Sequence, residues 1–223
     1  MQQTASASGA NWLRRLPIKT VRRIVKPLVF FICLIPLLLA GARAVGLFSE
    51  LIGGLGANPI EHLQDRFGQW GLRFVMITLA VTPLQKLTRI AWLGQLRRML
   101  GLFAFTYILM HFLVYVVLEQ TLSLEYVLED IVERPYITLG MISLVLLTAM
   151  AITSTNGMRR RLRANWQRIH YSVYVVAILG VWHLWWQVKG DITEPAIYAA
   201  IALLLLGSRI AVKLGQTRRL NNS

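Results

Sequence analysis

RRRLRANWQRIHYSVYVVAILGVWHLWWQVK, residues 159–189, is the stretch on which the reading of this chain turns. It opens on Arg159, Arg160, Arg161 and Arg163, runs through a long apolar segment and closes on a collar of Trp182, Trp185 and Trp186. Basic residues at one end and tryptophans at the other are the marks of a helix that crosses a bilayer. Inside the run sit His170 and His183, two of only four histidines in the protein. An ionisable side chain at membrane depth is costly and marks a functional site by default. Neutral imidazole is also a usual axial ligand of haem iron.

Composition agrees with a membrane chain. Of the 223 residues 56% are hydrophobic and 15% charged, with a formal charge of +14. A basic soluble nucleic-acid-binding domain would not carry several apolar runs of membrane length. The single cysteine, Cys33, lies in an apolar run, which excludes a disulfide framework and a cysteine-based metal cluster. The first apolar run starts after a long basic segment and has no small-residue cleavage site behind it, so no cleavable signal peptide is expected.

The expected architecture is all-α, a six-transmembrane-helix bundle with both termini cytoplasmic. Residues 1–27 form a basic cytoplasmic segment, 28–214 the six-helix domain and 215–223 a tail. The spans are expected near 28–48, 71–85, 99–118, 136–154, 168–188 and 195–214. Residues 49–70 read as a loop with a short interfacial helix from Pro59, and the second span is expected to stop near Pro83. Its apolar core is short, which suits a tilted or shielded helix. The acidic segment 119–135 reads as a surface helix ended by Pro135, and no internal repeat stands out.

Charge sets the orientation. Segments 1–27, 86–98, 155–168 and 208–223 hold 19 Lys and Arg and no Asp or Glu, while the intervening loops hold all ten acidic residues. The positive-inside rule then puts both termini in the cytoplasm. The 159–163 arginines read first as this topology signal and second as a phosphate site. No Asp or Glu falls within a span, which argues against a proton-coupled transporter built on carboxylate relays.

Depth pairs two histidines. At about 1.5 Å per residue, His111 lies roughly 20 Å above the cytoplasmic end of the third span and His183 roughly 22 Å above that of the fifth. Two helices running the same way thus carry histidines at one level, as needed to hold a haem iron between them. His170 lies only about 3 Å up and, on an ideal helix, about 140° away from the His183 face. It reads equally as a ligand or as a solvated boundary residue. His62 reads as part of an outer surface helix.

Arg97-Arg98-x-Leu-Gly101, His111, Arg134-Pro135-Tyr136-x-Thr138-Leu139-Gly140, Thr153-Ser154-Thr155 and Trp166-Gln167-x-x-His170 followed by His183 together resemble the MsrQ (YedZ) family. These are the haem-binding membrane subunits of the bacterial periplasmic methionine-sulfoxide reductase system. The resemblance covers about residues 25–215 and extends to the broader ferric-reductase-type transmembrane domain, whose third and fifth helices hold b-type haems. It implies one or two haems b with His111, His183 and His170 as iron ligands. Fourteen residues before His111, where two-haem relatives carry a second histidine, this chain has Arg97. His170 then either ligates opposite a non-histidine partner or lines the cytoplasmic entry.

By depth and charge, Arg97, Arg98 and Arg73 are candidates to pair with haem propionates, and Trp166 to pack at the cytoplasmic haem edge. The resemblance also implies FMN, for which the sequence has no fingerprint; the 159–168 loop is its most basic surface. The expected role is a multi-pass b-type cytochrome of the bacterial inner membrane with no substrate chemistry of its own. It would pass electrons from the quinone pool or a cytosolic flavin reductase to a periplasmic molybdopterin-containing methionine-sulfoxide reductase. The chain ends a few residues after its last helix, which leaves the electrons to come from another protein or from quinol. A transporter or a structural membrane subunit without haem is the alternative.

Overall fold

A computed structural model describes residues 16–46, 53–188 and 190–221. Most of the basic lead-in, Glu50 and Lys189 lie outside the described residues. Eight helices follow one another: α1 (Ile18–Ala44), α2 (Pro59–Thr88), α3 (Arg97–Glu119), α4 (Leu124–Glu133), α5 (Pro135–Ile152), α6 (Asn156–Leu162), α7 (Ala164–Gln187) and α8 (Thr193–Asn221). No strand occurs among the described residues. Five of these helices, α1, α3, α5, α7 and α8, are long and apolar enough to cross a membrane.

A helix outside that group, α2, packs against four of those five, α1, α3, α7 and α8. Its buried side chains run from Leu63 through Phe67, Leu72, Phe74, Val75 and Leu79 to Val81. Glu61, Asp65, Arg66 and Arg73 lower its mean hydropathy. Shielding by protein removes the demand that it be apolar all round. Arg73 donates through Nε to Tyr198 Oη at 2.9 Å and lies 3.8 Å from Glu194, both on α8, so its charge has partners.

Two expectations about this region are overturned. The segment from Pro59 is not a short interfacial helix ahead of a separate span, and the span does not stop near Pro83. One helix of 30 residues, about 45 Å long, runs through both. Asn58 starts it, its side chain accepting from Glu61 N and donating to the Glu61 carboxylate at 2.8 Å. Pro83 removes the N–H that would bond the Leu79 carbonyl. Arg209 of α8 reaches in and donates Nη2 to that carbonyl at 2.6 Å, while its Nη1 donates to Tyr174 Oη. A tertiary contact thus replaces the lost helical bond, and the helix continues to Thr88.

α1 has a matching device. One residue after Pro36, Leu37 N finds a partner outside its own helix. It donates to Tyr107 Oη at 2.9 Å, and that hydroxyl donates to Cys33 O at 2.8 Å. A side chain from α3 is thereby inserted into the hydrogen-bond ladder of α1. Tyr107 is 0% exposed.

The tightest helix pair is α2 with α3, and Gly71 allows it. A Cβ on Gly71 would stand 2.4 Å from Ile108 Cγ1 and 3.3 Å from the Ile108 backbone nitrogen. Any side chain there separates the two helices.

Tyr107→Phe removes the hydroxyl that accepts from Leu37 N and donates to Cys33 O, two hydrogen bonds in an apolar setting worth about 1 kcal/mol each. The variant in detergent should unfold at lower temperature than the parent, followed by circular dichroism, with no change in helical content before the transition.

Candidate functional site

His111 sits on α3 and His183 on α7, and the bundle brings the two rings together. Their centroids are 6.1 Å apart and their planes cross at 89°. Each ring is held in the same way. His111 Nδ1 lies 2.8 Å from the Gln64 carbonyl on α2, and His183 Nδ1 lies 2.6 Å from the Tyr136 carbonyl on α5. A carbonyl only accepts, so Nδ1 carries the proton in both rings and the lone pair resides on Nε2. This is the tautomer of a metal-binding imidazole whose other nitrogen is oriented by a backbone acceptor.

Each carbonyl belongs to a helix and must accept the imidazole on its free side. The residue four positions on lies over that side, because residues i and i+4 stack on one helix face. In both cases it is glycine. A Cβ on Gly68 would lie 3.1 Å from His111 Nδ1, and one on Gly140 would lie 3.2 Å from His183 Cε1. The two cradles also share one spacing: each histidine follows its carbonyl by 47 residues and its glycine by 43. The α2–α3 and α5–α7 pairs therefore form an internal repeat of about 72 residues. That repeat is carried by helix geometry and one small residue, not by similar side chains.

The pair fits haem iron. Two metal–imidazole bonds of about 2 Å plus the ring radii give roughly 6 Å between centroids. Both rings are half-buried, leaving part of their surface uncovered by protein. No group of three or more His, Cys, Asp and Glu side chains that would hold a bare metal ion occurs among the described residues. The donor set is the one a porphyrin iron needs, two neutral nitrogens.

The remaining candidates apart from Arg73 lie near the other ends of α3 and α7. His170 stacks on Trp166 at 3.9 Å and 25°, and its Nδ1 lies 3.0 Å from the Trp166 carbonyl, so its Nε2 also holds the lone pair. α7 is interrupted by a turn at Tyr171, so the ideal rotation from His170 to His183 does not carry across it. Trp166 Nε1 donates to Thr153 O at 3.0 Å, and the Arg159 guanidinium lies 5.3 Å above its ring. Arg98 donates to Asn156 Oδ1 at 3.0 Å. Arg97 lies within electrostatic reach of both His170 and Arg209. Arg73 belongs to neither cluster of rings; it is tied to α8 and stacks 5.0 Å over Trp70.

The sequence reading missed Gly68, Gln64 and the roles of Tyr136 and Gly140. A backbone acceptor leaves no side-chain signature. The recoverable signal was a glycine 43 residues before each of two depth-matched histidines. Gly68→Ala and Gly140→Ala push a methyl group against the ring and loosen the carbonyl bond behind the candidate ligand. Each should weaken haem retention by about 10–100-fold. Haem per polypeptide, measured beside an unchanged far-ultraviolet spectrum, checks this.

Residues 67–181 match the ferric reductase like transmembrane component family. A protein-methionine-sulfoxide reductase heme-binding subunit MsrQ of Xanthomonas oryzae pv. oryzae (strain MAFF 311018) is 44% identical over 195 residues, covering 87% of this chain and 89% of that protein. The protein of the same name from Rhodospirillum rubrum is 44% identical over 202 residues, covering 90% and 94%. That from Xanthomonas campestris pv. campestris (strain 8004) is 45% identical over 185 residues, covering 83% and 85%. No solved structure matches the chain. With a ferric-reductase-like domain across half its length and relatives of this similarity over most of it, the chain is a multi-pass membrane protein that belongs to the MsrQ family.

Proposed function

We propose that the protein is a membrane b-type cytochrome that carries electrons across the bacterial inner membrane to a periplasmic methionine-sulfoxide reductase. The observation that carries this reading is the pair of crossed imidazoles, each with Nδ1 tied to a carbonyl and the lone pair on Nε2. The relatives named above are heme-binding subunits of that reductase system.

In this reading His111 and His183 would hold the iron of a haem b, which would supply the one-electron chemistry when bound. The protein's own residues do the rest. The Gln64 and Tyr136 carbonyls hold the tautomer and raise the basicity of the ligating nitrogens. Gly68 and Gly140 let the rings reach those carbonyls. His170, stacked on Trp166, is the ligand or entry residue on the cytoplasmic side, and Arg97 and Arg98 are the cations nearest that side for propionates. Arg73 is the corresponding candidate near α8, shared with Glu194 and Tyr198. FMN remains part of the proposal on family grounds, with the 159–168 loop as its most basic candidate surface.

The topology proposed is six crossings with both termini cytoplasmic, α2 being the crossing that protein shields from lipid. Electrons enter from the quinone pool or a cytosolic flavin reductase. They leave toward a molybdopterin-containing catalytic subunit that docks on the acidic outer loops.

Substitution of the ligands tests the reading. His111→Ala and His183→Ala should each lose most of the haem absorbance and all electron delivery to the periplasm, because nothing on the neighbouring turns replaces a lost nitrogen. His170→Ala should keep the outer haem and slow its reduction from the cytoplasmic side. Wild-type haem content with an unchanged low-spin spectrum in both His111→Ala and His183→Ala would end this account.

A further inference from the structure

One polar group near the proposed haem ligands has no partner. His62, on the first turn of α2, has its Nε2 buried from solvent with no hydrogen bond. An imidazole nitrogen buried without a partner is destabilising, so a bound group that pairs with it is favoured. His62 lines a cavity of about 320 Å³ between α1 and α2. Ile32, Ile35, Pro36 and Leu39 of α1 form one wall; Phe67 and Trp70 of α2 form the other. Arg43 and Arg66 also contribute to its lining.

The shape of this site restricts its ligand. Ile32, Ile35 and Leu39 are exposed on the flank of α1, which is apolar over most of its length, so the cavity is entered from the hydrocarbon side. The ligand must therefore be lipid-soluble. Two aromatic side chains opposite an aliphatic wall suit a flat ring. The buried atom without a partner is an imidazole nitrogen, which donates in one tautomer and accepts in the other. A quinone carbonyl accepts a hydrogen bond and a quinol hydroxyl donates one, so both redox forms find a partner at His62. A phospholipid phosphate offers acceptors only and so matches one tautomer of His62 and not the other.

Position relates the cavity to the ligand pair. His62 and Arg66 stand two residues either side of Gln64, whose carbonyl receives His111 Nδ1. Phe67 and Trp70 flank Gly68, which touches the same ring. One helix, about 10 Å across with its side chains, is all that separates the cavity from His111. We infer that this α1–α2 cavity is a quinone-class binding site in the outer half of the bilayer, with His62 as the residue that hydrogen-bonds the head group. The geometry stands alone, but its use as an electron entry rests on the haem reading above.

The test uses the full-length haem-loaded protein in phosphatidylcholine nanodiscs. Decylubiquinone binding is read by Trp fluorescence quenching, and an azido-ubiquinone reports the contacted peptides. Label is expected within residues 32–43 and 62–70. His62→Ala should weaken decylubiquinone by about tenfold, the loss of one buried hydrogen bond. Ile35→Trp, which fills the cavity without touching His62, should abolish labelling there, and both variants should keep the wild-type haem spectrum. Label confined to other helices, or affinity unchanged in both variants, overturns the site. So does phosphatidylglycerol that co-purifies in an Arg66-dependent way while the quinone probe leaves the cavity unlabelled. His111→Ala separates the two readings: it should lose haem and keep the azido-ubiquinone label. Failure to label the wild type would therefore count against the cavity alone.

Discussion

A protonated ring nitrogen in a bilayer must find an acceptor inside the protein, and this chain supplies a helix carbonyl for each of its two paired histidines. That bond decides much else. It places the lone pair of His111 and of His183 on Nε2. It fixes the planes at right angles. It also requires that the residue one turn beyond each carbonyl have no side chain, which Gly68 and Gly140 satisfy. The same requirement recurs at the same spacing in two helix pairs, so the bundle is a paired structure around a site that belongs to both halves.

Helices in lipid tolerate prolines only where something else satisfies the carbonyls and amides they leave open. Here the substitutes come from distant helices. Tyr107 of α3 enters the ladder of α1 beside Pro36, and Arg209 of α8 takes the carbonyl freed by Pro83 of α2. Both repairs anchor helices that carry or support a proposed ligand. Tyr107 lies one turn before His111, and α2 supplies Gln64 and Gly68. Fold and site are in this way held by the same few contacts.

The sequence made the outer helices legible because lipid-facing residues must be apolar and the charges between spans sort by side. It misjudged α2 for the converse reason. A helix surrounded by protein can carry Glu61, Asp65, Arg66 and Arg73, so its hydropathy falls and its start looks like a loop. Proline at position 83 looked like a terminus because the arginine that rescues it lies 126 residues later. The histidine pair was legible from depth alone, since helical rise is regular. The carbonyls behind the rings were not, because backbone atoms are the same whatever the residue. His62 read as a surface residue, yet its Nε2 is buried.

The account stands on two imidazoles sharing one iron with their planes crossed. An electron paramagnetic resonance spectrum of the oxidised, purified protein addresses this directly. Crossed axial imidazoles leave low-spin ferric iron nearly degenerate in its upper orbitals, and the expected spectrum is a strongly anisotropic low-spin signal. A purely high-spin signal, or solely the rhombic low-spin signal of parallel imidazoles, would contradict the arrangement of His111 and His183.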